Sequence, residues 1–221
     1  MARSARGAAI TTVAGLLGRA AGLFTTLLVT HFVSKGDYGR ANLALIIATL
    51  ANLITLLSPQ QALLTRNQRY SAAARLVHGF AVWSGLLVAG LIFGCGGYLL
   101  AKLHEPTALP LLRVYAVALV LERLSLVPAL TLRYQLRFGA LLRVDLGGDL
   151  AYVAVTVGGA LWGAGAMCLP LGMVARHLCR VLALGFWYKT PLLPPRPGAL
   201  SADSRALLRE ILQYSWPIHL G

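Results

Sequence analysis

Apolar stretches about as long as a bilayer is thick constrain this chain more than any other feature. A helix rises about 1.5 Å per residue and the hydrocarbon core is about 30 Å thick, so roughly 20 mainly apolar residues are needed to cross it. Six segments meet that length: Ala8 to Val33, Ala41 to Leu64, Leu76 to Ala101, Ala108 to Leu130, Asp145 to Ala166, and Met167 to Tyr188. The breaks between them have turn chemistry, Ser34-Lys35-Gly36-Asp37-Tyr38-Gly39 after the first and His104-Glu105-Pro106 after the third. Gly163-Ala164-Gly165 is short enough to make helices five and six an antiparallel hairpin. The expected fold class is an all-α polytopic membrane protein, a lobe of six transmembrane helices plus the start of a seventh helix.

Composition supports this and removes other classes. The chain is 57% hydrophobic and only 12% charged, against about 25% charged for a soluble domain. Its formal net charge is +13, but the basic residues punctuate apolar runs instead of forming a solvated patch, so no nucleic-acid partner is expected. Basic residues concentrate on the cytoplasmic side of membrane proteins. The N-terminus and alternate loops carry Arg3, Arg6, Arg66, Arg69, Arg75, Arg133, Arg137, Arg143, Lys189, Arg196, Arg205 and Arg209, whereas the opposite loops hold Lys35, Arg40 and Lys102. That asymmetry places the N-terminus in the cytoplasm. The N-terminal run continues past Arg19 without a small-residue cleavage site and is read as a retained first span.

Residues 1–190 are thus expected to form the six-helix lobe. Residues 191–210 form a Pro-rich cytoplasmic linker and an amphipathic interfacial helix, marked by Pro191, Pro194, Pro195 and Pro197 and by Leu207, Leu208, Ile211 and Leu212 on one face. Residues 211–221 begin the seventh span, with a second lobe absent.

Five arginines stay inside the spans: Arg19, Arg113, Arg123, Arg176 and Arg180. A charge near the midplane costs at least about 2.5 kcal/mol on insertion scales, so such residues face an interior or a wet cavity and commonly mark a pathway. Arg19, Arg113, Arg123 and Arg176 are the candidate substrate-binding cationic cavity. Arg113 and Arg123, ten residues apart, come about 80° apart on a helix. Asp149 and Arg180 bracket the expected hairpin centre at Gly163 to Ala166 and are expected to form a structural ion pair. Asp145, beside Arg143, reads as a solvated helix end. Glu122 either pairs with an arginine of a neighbouring helix or carries a coupling proton. With Glu122 and Asp149 set against the five arginines, three positive charges remain in excess, which suits an anion.

Cys95, Cys168 and Cys179 read as packing residues, and His31, His78, His104, His177 and His219 lack metal-ligand spacing. No metal, cofactor or enzymatic activity is expected, because no phosphate loop, nucleophile elbow or paired catalytic carboxylates occur.

Several motifs, in order, carry a family resemblance. They are Ser34-Lys-Gly-Asp-Tyr-Gly39 after the first helix, Leu132-Arg-Tyr-Gln-Leu-Arg-Phe138 before the fifth, Leu161-Trp-Gly-Ala-Gly-Ala166 in the hairpin, and Arg196-Pro197 with Tyr214-Ser-Trp-Pro217 leading into the seventh. In these the chain resembles the polysaccharide-exporter branch, including Wzx-type O-antigen flippases, of the multidrug/oligosaccharidyl-lipid/polysaccharide flippase superfamily. His31 stands where that family usually has an arginine. The resemblance implies paired six-helix lobes around a cationic cavity in the bacterial inner membrane, moving an undecaprenyl-diphosphate-linked oligosaccharide between leaflets by alternating access. It implies a cavity role for Arg19 and, as partners, membrane lipids, a missing C-terminal lobe or partner chain, and polysaccharide polymerase machinery. The chain is expected to be a fragment of a longer transporter. A non-transporting subunit of a polysaccharide export complex, or a multidrug exporter of the same superfamily, is the alternative.

Overall fold

A computed structural model describes Gly15, Gly18, residues 22–55 and residues 70–187. Arg19, residues 56–64 of the second expected span, the linker, the amphipathic helix and the start of the seventh span lie outside the described residues. What is described is helical, with no strand among those residues. The helices are α1 (Gly22–Phe32), α2 (Lys35–Thr55), α3 (Tyr70–Lys102), α4 (Leu109–Tyr134), α5 (Phe138–Leu161) and α6 (Cys168–Leu182), the last continued by a π turn at Ala183–Trp187.

Among the described residues three stretches are long and apolar enough to cross a membrane: Ala74–Lys102, Pro106–Tyr134 and Gly165–Trp187. They correspond to α3, α4 and α6. The six expected spans are therefore matched by three by this measure. α2 carries Arg40, Asn42 and Asn52, and α5 carries Arg143, Asp145 and Asp149, polar groups that an isolated lipid-facing helix would not tolerate.

Local chemistry explains the boundaries. The expected loop from Ser34 to Gly39 is helical from Lys35 onward, because Ser34 caps α2: its Oγ accepts the Asp37 N–H at 3.1 Å and donates to Asp37 Oδ2 at 2.8 Å. Pro106 begins a 3-10 turn before α4, and Pro110 sits in the first turn of α4, where a missing N–H is harmless. The α4–α5 turn uses Leu136 in the left-handed region, φ 55°, and the α5–α6 turn uses Gly163 at φ 78°.

Among the described residues two apolar clusters hold the bundle. The larger gathers Val29, Ala44, Ala48, Val88, Ile92, Leu112, Tyr115, Leu119 and Leu169 near the end where the α1–α2, α3–α4 and α5–α6 turns meet. The smaller gathers Ala129, Leu132, Leu141, Val144 and Leu184 around the α4–α5 turn. Outward aliphatics such as Leu27, Leu53 and Leu150 are more than 60% exposed, an apolar surface of the kind lipid covers.

Candidate functional site

Between these clusters lies a polar layer made by the middle turns of α4, α5 and α6. Asp145 and Asp149 are one turn apart on α5, as Arg176 and Arg180 are on α6, so each pair presents one face. The two helices run antiparallel and zip these charges together. Arg176 Nη2 lies 2.6 Å from Asp149 Oδ1, and Arg180 Nη2 lies 2.8 Å from Asp145 Oδ1.

This corrects the expected Asp149–Arg180 pair. Both observed pairs are centred on the Trp162–Gly163 bond, about two residues before the expected centre, because α5 stops at Leu161 and the chain reverses through Trp162–Ala164 before a further 3-10 turn at Gly165–Met167. Gly148 makes the offset sterically feasible. A Cβ there would stand 2.9 Å from Arg180 Cγ and 3.1 Å from the Arg176 carbonyl oxygen, so the arginine stem uses the space that glycine leaves. Asp145 is half-buried and paired, not a solvated helix end, and Arg176 is not a free charge. Pairing of Asp145 removes one more positive charge from the expected excess. The other Asp149 oxygen lies against the first helix, 3.0 Å from where a Gly18 Cβ would stand.

The layer opens into two clefts. One, about 190 Å³, lies between α2, α4 and α6 and is lined by Thr49, Asn52, Tyr115, Glu122, Met173 and His177 among others. The second, about 180 Å³, adjoins it and is lined by Glu122, Ser125, Arg133 and Arg180 with aliphatic neighbours. Glu122 is common to both. No arginine of a neighbouring helix pairs with its carboxylate among the described residues.

The four arginines expected to share a cavity are not brought together. Arg113 is exposed and rests over the Phe93 ring, 5.8 Å from its centroid. Arg123 is 5% exposed and reaches back to α2, where it donates to the Asn52 side-chain oxygen and, at 3.3 Å, to the Asn52 carbonyl. Its stem crosses α3 at Gly85, where a Cβ would stand 2.8 Å from Arg123 Cγ. Arg123 thus clamps α2, α3 and α4. An 80° separation is enough to carry one arginine inward and leave the other at the edge. Arg176 alone of the described three belongs to the polar layer, joined there by Arg180; Arg19 lies outside the described residues.

Among the described residues no group of three or more His, Cys, Asp or Glu is placed to hold a metal ion. His177 is a cleft residue that its sequence context did not mark. Its placement follows from Met173 four residues earlier, which puts both on the α6 face turned toward α2 and α4.

No curated protein and no solved structure matches the chain significantly. A family model described as "Polysaccharide biosynthesis protein" matches residues 28–220, spanning every described helix from the middle of α1 onward. An all-helical, lipid-compatible bundle with a charged layer inside it, matched over most of its length, belongs to the polysaccharide biosynthesis protein family.

Proposed function

We propose that this chain is a six-span lobe of a flippase that moves an undecaprenyl-diphosphate-linked oligosaccharide across the bacterial inner membrane, with its N-terminus in the cytoplasm. Family membership supports the pathway. The observation that carries the transport reading is the polar layer: Arg176 and Arg180 sit between two apolar clusters, and their charge is balanced by Asp145 and Asp149. A diphosphate is a better partner for guanidinium forks than a single carboxylate, because its oxygens accept several charge-assisted bonds at once. In this reading the carboxylates hold the arginines in the empty state and give way to the substrate's phosphates. The chain binds and moves a lipid-linked sugar without chemical conversion. Arg19, which follows Gly18 in sequence, is assigned to the same cationic pathway, since Gly18 packs on Asp149.

Alternating access requires a second body for this lobe to move against. We assign that role to a second six-helix lobe, on the same polypeptide or a partner, with polysaccharide polymerase machinery receiving the product.

The test is leaflet-resolved accumulation of the lipid-linked sugar in a strain lacking the gene, complemented with the full-length protein. Arg19→Ala and the charge-neutral double variant Arg176→Gln with Asp149→Asn should each lower export about tenfold or more at unchanged abundance, the equivalent of one lost charge-assisted contact in the transition state. Normal export by both variants would sink the assignment.

A further inference from the structure

Helix packing sets one arginine apart from the others. α3 and α4 meet where Leu109 and Leu112 rest on Gly96, and Leu109 also on Gly97. In an antiparallel pair the turn before Gly97 faces the turn after Leu109, which brings Phe93 beside Arg113. The Arg113 guanidinium lies 5.8 Å from the centre of the Phe93 ring, and both residues are exposed. Arg113 is also well inside its span. It comes seven residues after Pro106, where the apolar stretch Pro106–Tyr134 begins, or about 10 Å along a helix. Its neighbours on that outward stripe of α4 are Pro110 and Val117, both exposed and apolar.

A guanidinium facing hydrocarbon is costly, and the Phe93 ring offsets part of that through a cation–π contact. The ring cannot satisfy five N–H donors. Among the described residues no carboxylate lies within ion-pair distance of Arg113: Asp37 and Glu105 are with Arg40, Asp145 with Arg180, and Asp149 with Arg176. Glu122 lines the inner clefts. Lys102 makes a similar contact, 5.1 Å over Tyr98, but it stands in the last turn of α3, where a flexible stem reaches water. Arg113 therefore needs an anion from outside the bundle. We propose that Arg113, held over Phe93 on the outward side of the α3–α4 hairpin, binds the phosphate of an anionic membrane phospholipid.

Lipid phosphates lie at the edge of the hydrocarbon, and an arginine stem reaches from within a span to that depth. Phosphate oxygens accept the charge-assisted bonds that the ring cannot. A net negative lipid fits best, because no side chain neutralises the arginine and the ammonium of a zwitterionic headgroup competes for the same phosphate. The acyl chain has a place as well. Leu86, Gly90 and Phe93 follow at helical steps on one exposed stripe of α3, and a Cβ added at Gly90 would meet nothing within 4 Å. The surface beside the ring is thus recessed and apolar. The site requires that α4 cross a membrane, not that the chain be a flippase, and it is separate from the Arg176 and Arg180 layer inside the bundle.

The test is native mass spectrometry of the full-length protein, delipidated in detergent and given phosphatidylglycerol or phosphatidylcholine with identical acyl chains. A phosphatidylglycerol bearing a diazirine in one chain maps the site. The unaltered protein should prefer phosphatidylglycerol, and the diazirine should label α3–α4 peptides between Leu86 and Val117. Arg113→Gln should weaken the mapped site about tenfold, as for loss of one charge-assisted bond, and remove that label while phosphatidylcholine binding stays the same. Phe93→Leu should weaken it about threefold, and Arg113→Lys should fall between the unaltered protein and Arg113→Gln. Glycerol phosphate, which lacks acyl chains, should not displace the lipid. Unchanged binding and labelling in Arg113→Gln overturns the proposal, and displacement by glycerol phosphate overturns it in favour of a soluble phosphate. If Arg113→Gln lowers the melting temperature in lipid-free detergent more than Phe93→Leu does, the partner is a protein carboxylate and the proposal falls. Should Arg113→Gln fail to fold, Arg113→Lys and Phe93→Leu decide. Sugar export does not enter these readouts, so failure of the lipid site and failure of the flippase reading are separately visible.

Discussion

The hairpins α3–α4 and α5–α6 are both antiparallel, and they are joined by different means. α3 is apolar around its whole circumference and meets α4 through aliphatic contacts such as Leu112 and Leu109 against Gly96, with Arg123 as the main polar crossing. α6 segregates its polar and apolar faces and meets α5 through two ion pairs and two close backbone approaches, at Gly148 and Gly172. The two seams differ in how readily their contacts can change partners. Aliphatic packing offers an anion nothing to bind, whereas a carboxylate holding an arginine can be replaced by another anion. On the proposed reading the α5–α6 seam is the one that exchanges partners and the α3–α4 seam is the permanent one.

Charge reversal should test this contrast most strongly. Asp149→Arg alone would set two arginines face to face and cost about 3 kcal/mol, near the lower edge for a buried pair because Arg176 keeps 36% of its side chain exposed. Adding Arg176→Asp should restore thermal stability and abundance. The diagonal exchange Asp149→Arg with Arg180→Asp should restore neither, because it faces arginine with arginine and aspartate with Asp145. Recovery by the diagonal exchange would overturn the observed register.

A smaller loss is expected at the close approach. A Cβ added at Gly172 would overlap Thr156 Oγ1 and stand 3.0 Å from Tyr152 Cδ2. Threonine is stiff about its first side-chain torsion in a helix, so Gly172→Ala should cost about 1 to 3 kcal/mol, read as a lower melting temperature in detergent. Thr156→Ala in the same chain should return part of it.

The weakest effect belongs to the permanent seam. At Gly96 the added Cβ would stand 3.2 Å from Leu112 Cδ2, the far end of a side chain that need give only a few tenths of an ångström, so Gly96→Ala should cost about 1 kcal/mol or less. A loss as large as that of Gly172→Ala would erase the proposed difference between the hairpins.

Particular residues show how far the sequence leads. Helix positions and the α5–α6 hairpin follow from apolar length and glycine-rich breaks, and the chemistry of its ion pairs was legible because buried charges must be matched. Register was not: it depends on two residues' worth of turn between Leu161 and Cys168, which composition does not reveal. Ser34 with Asp37 three residues later is a capping signature that could have been read as a helix start. Arg123 could not have been assigned to its clamp, since Asn52 lies 71 residues away and Gly85 gives no signal until the helices are packed. His177 likewise depends on which face α6 turns toward α2.

Arg40 bonds Asp37 at 3.1 Å and lies 3.9 Å from Glu105, with all three side chains more than one-third accessible, at the end of the bundle where three turns meet. At an ionic strength of about 0.15 M, charges exposed to water are screened over about 8 Å, while the α5–α6 pairs, whose Asp149 and Arg180 side chains are only 16% and 22% exposed, feel the salt less. Ionic strength therefore acts selectively on this lobe: concentrated salt loosens the rim that gathers the α1–α2 and α3–α4 turns while the interior charge ladder stays closed.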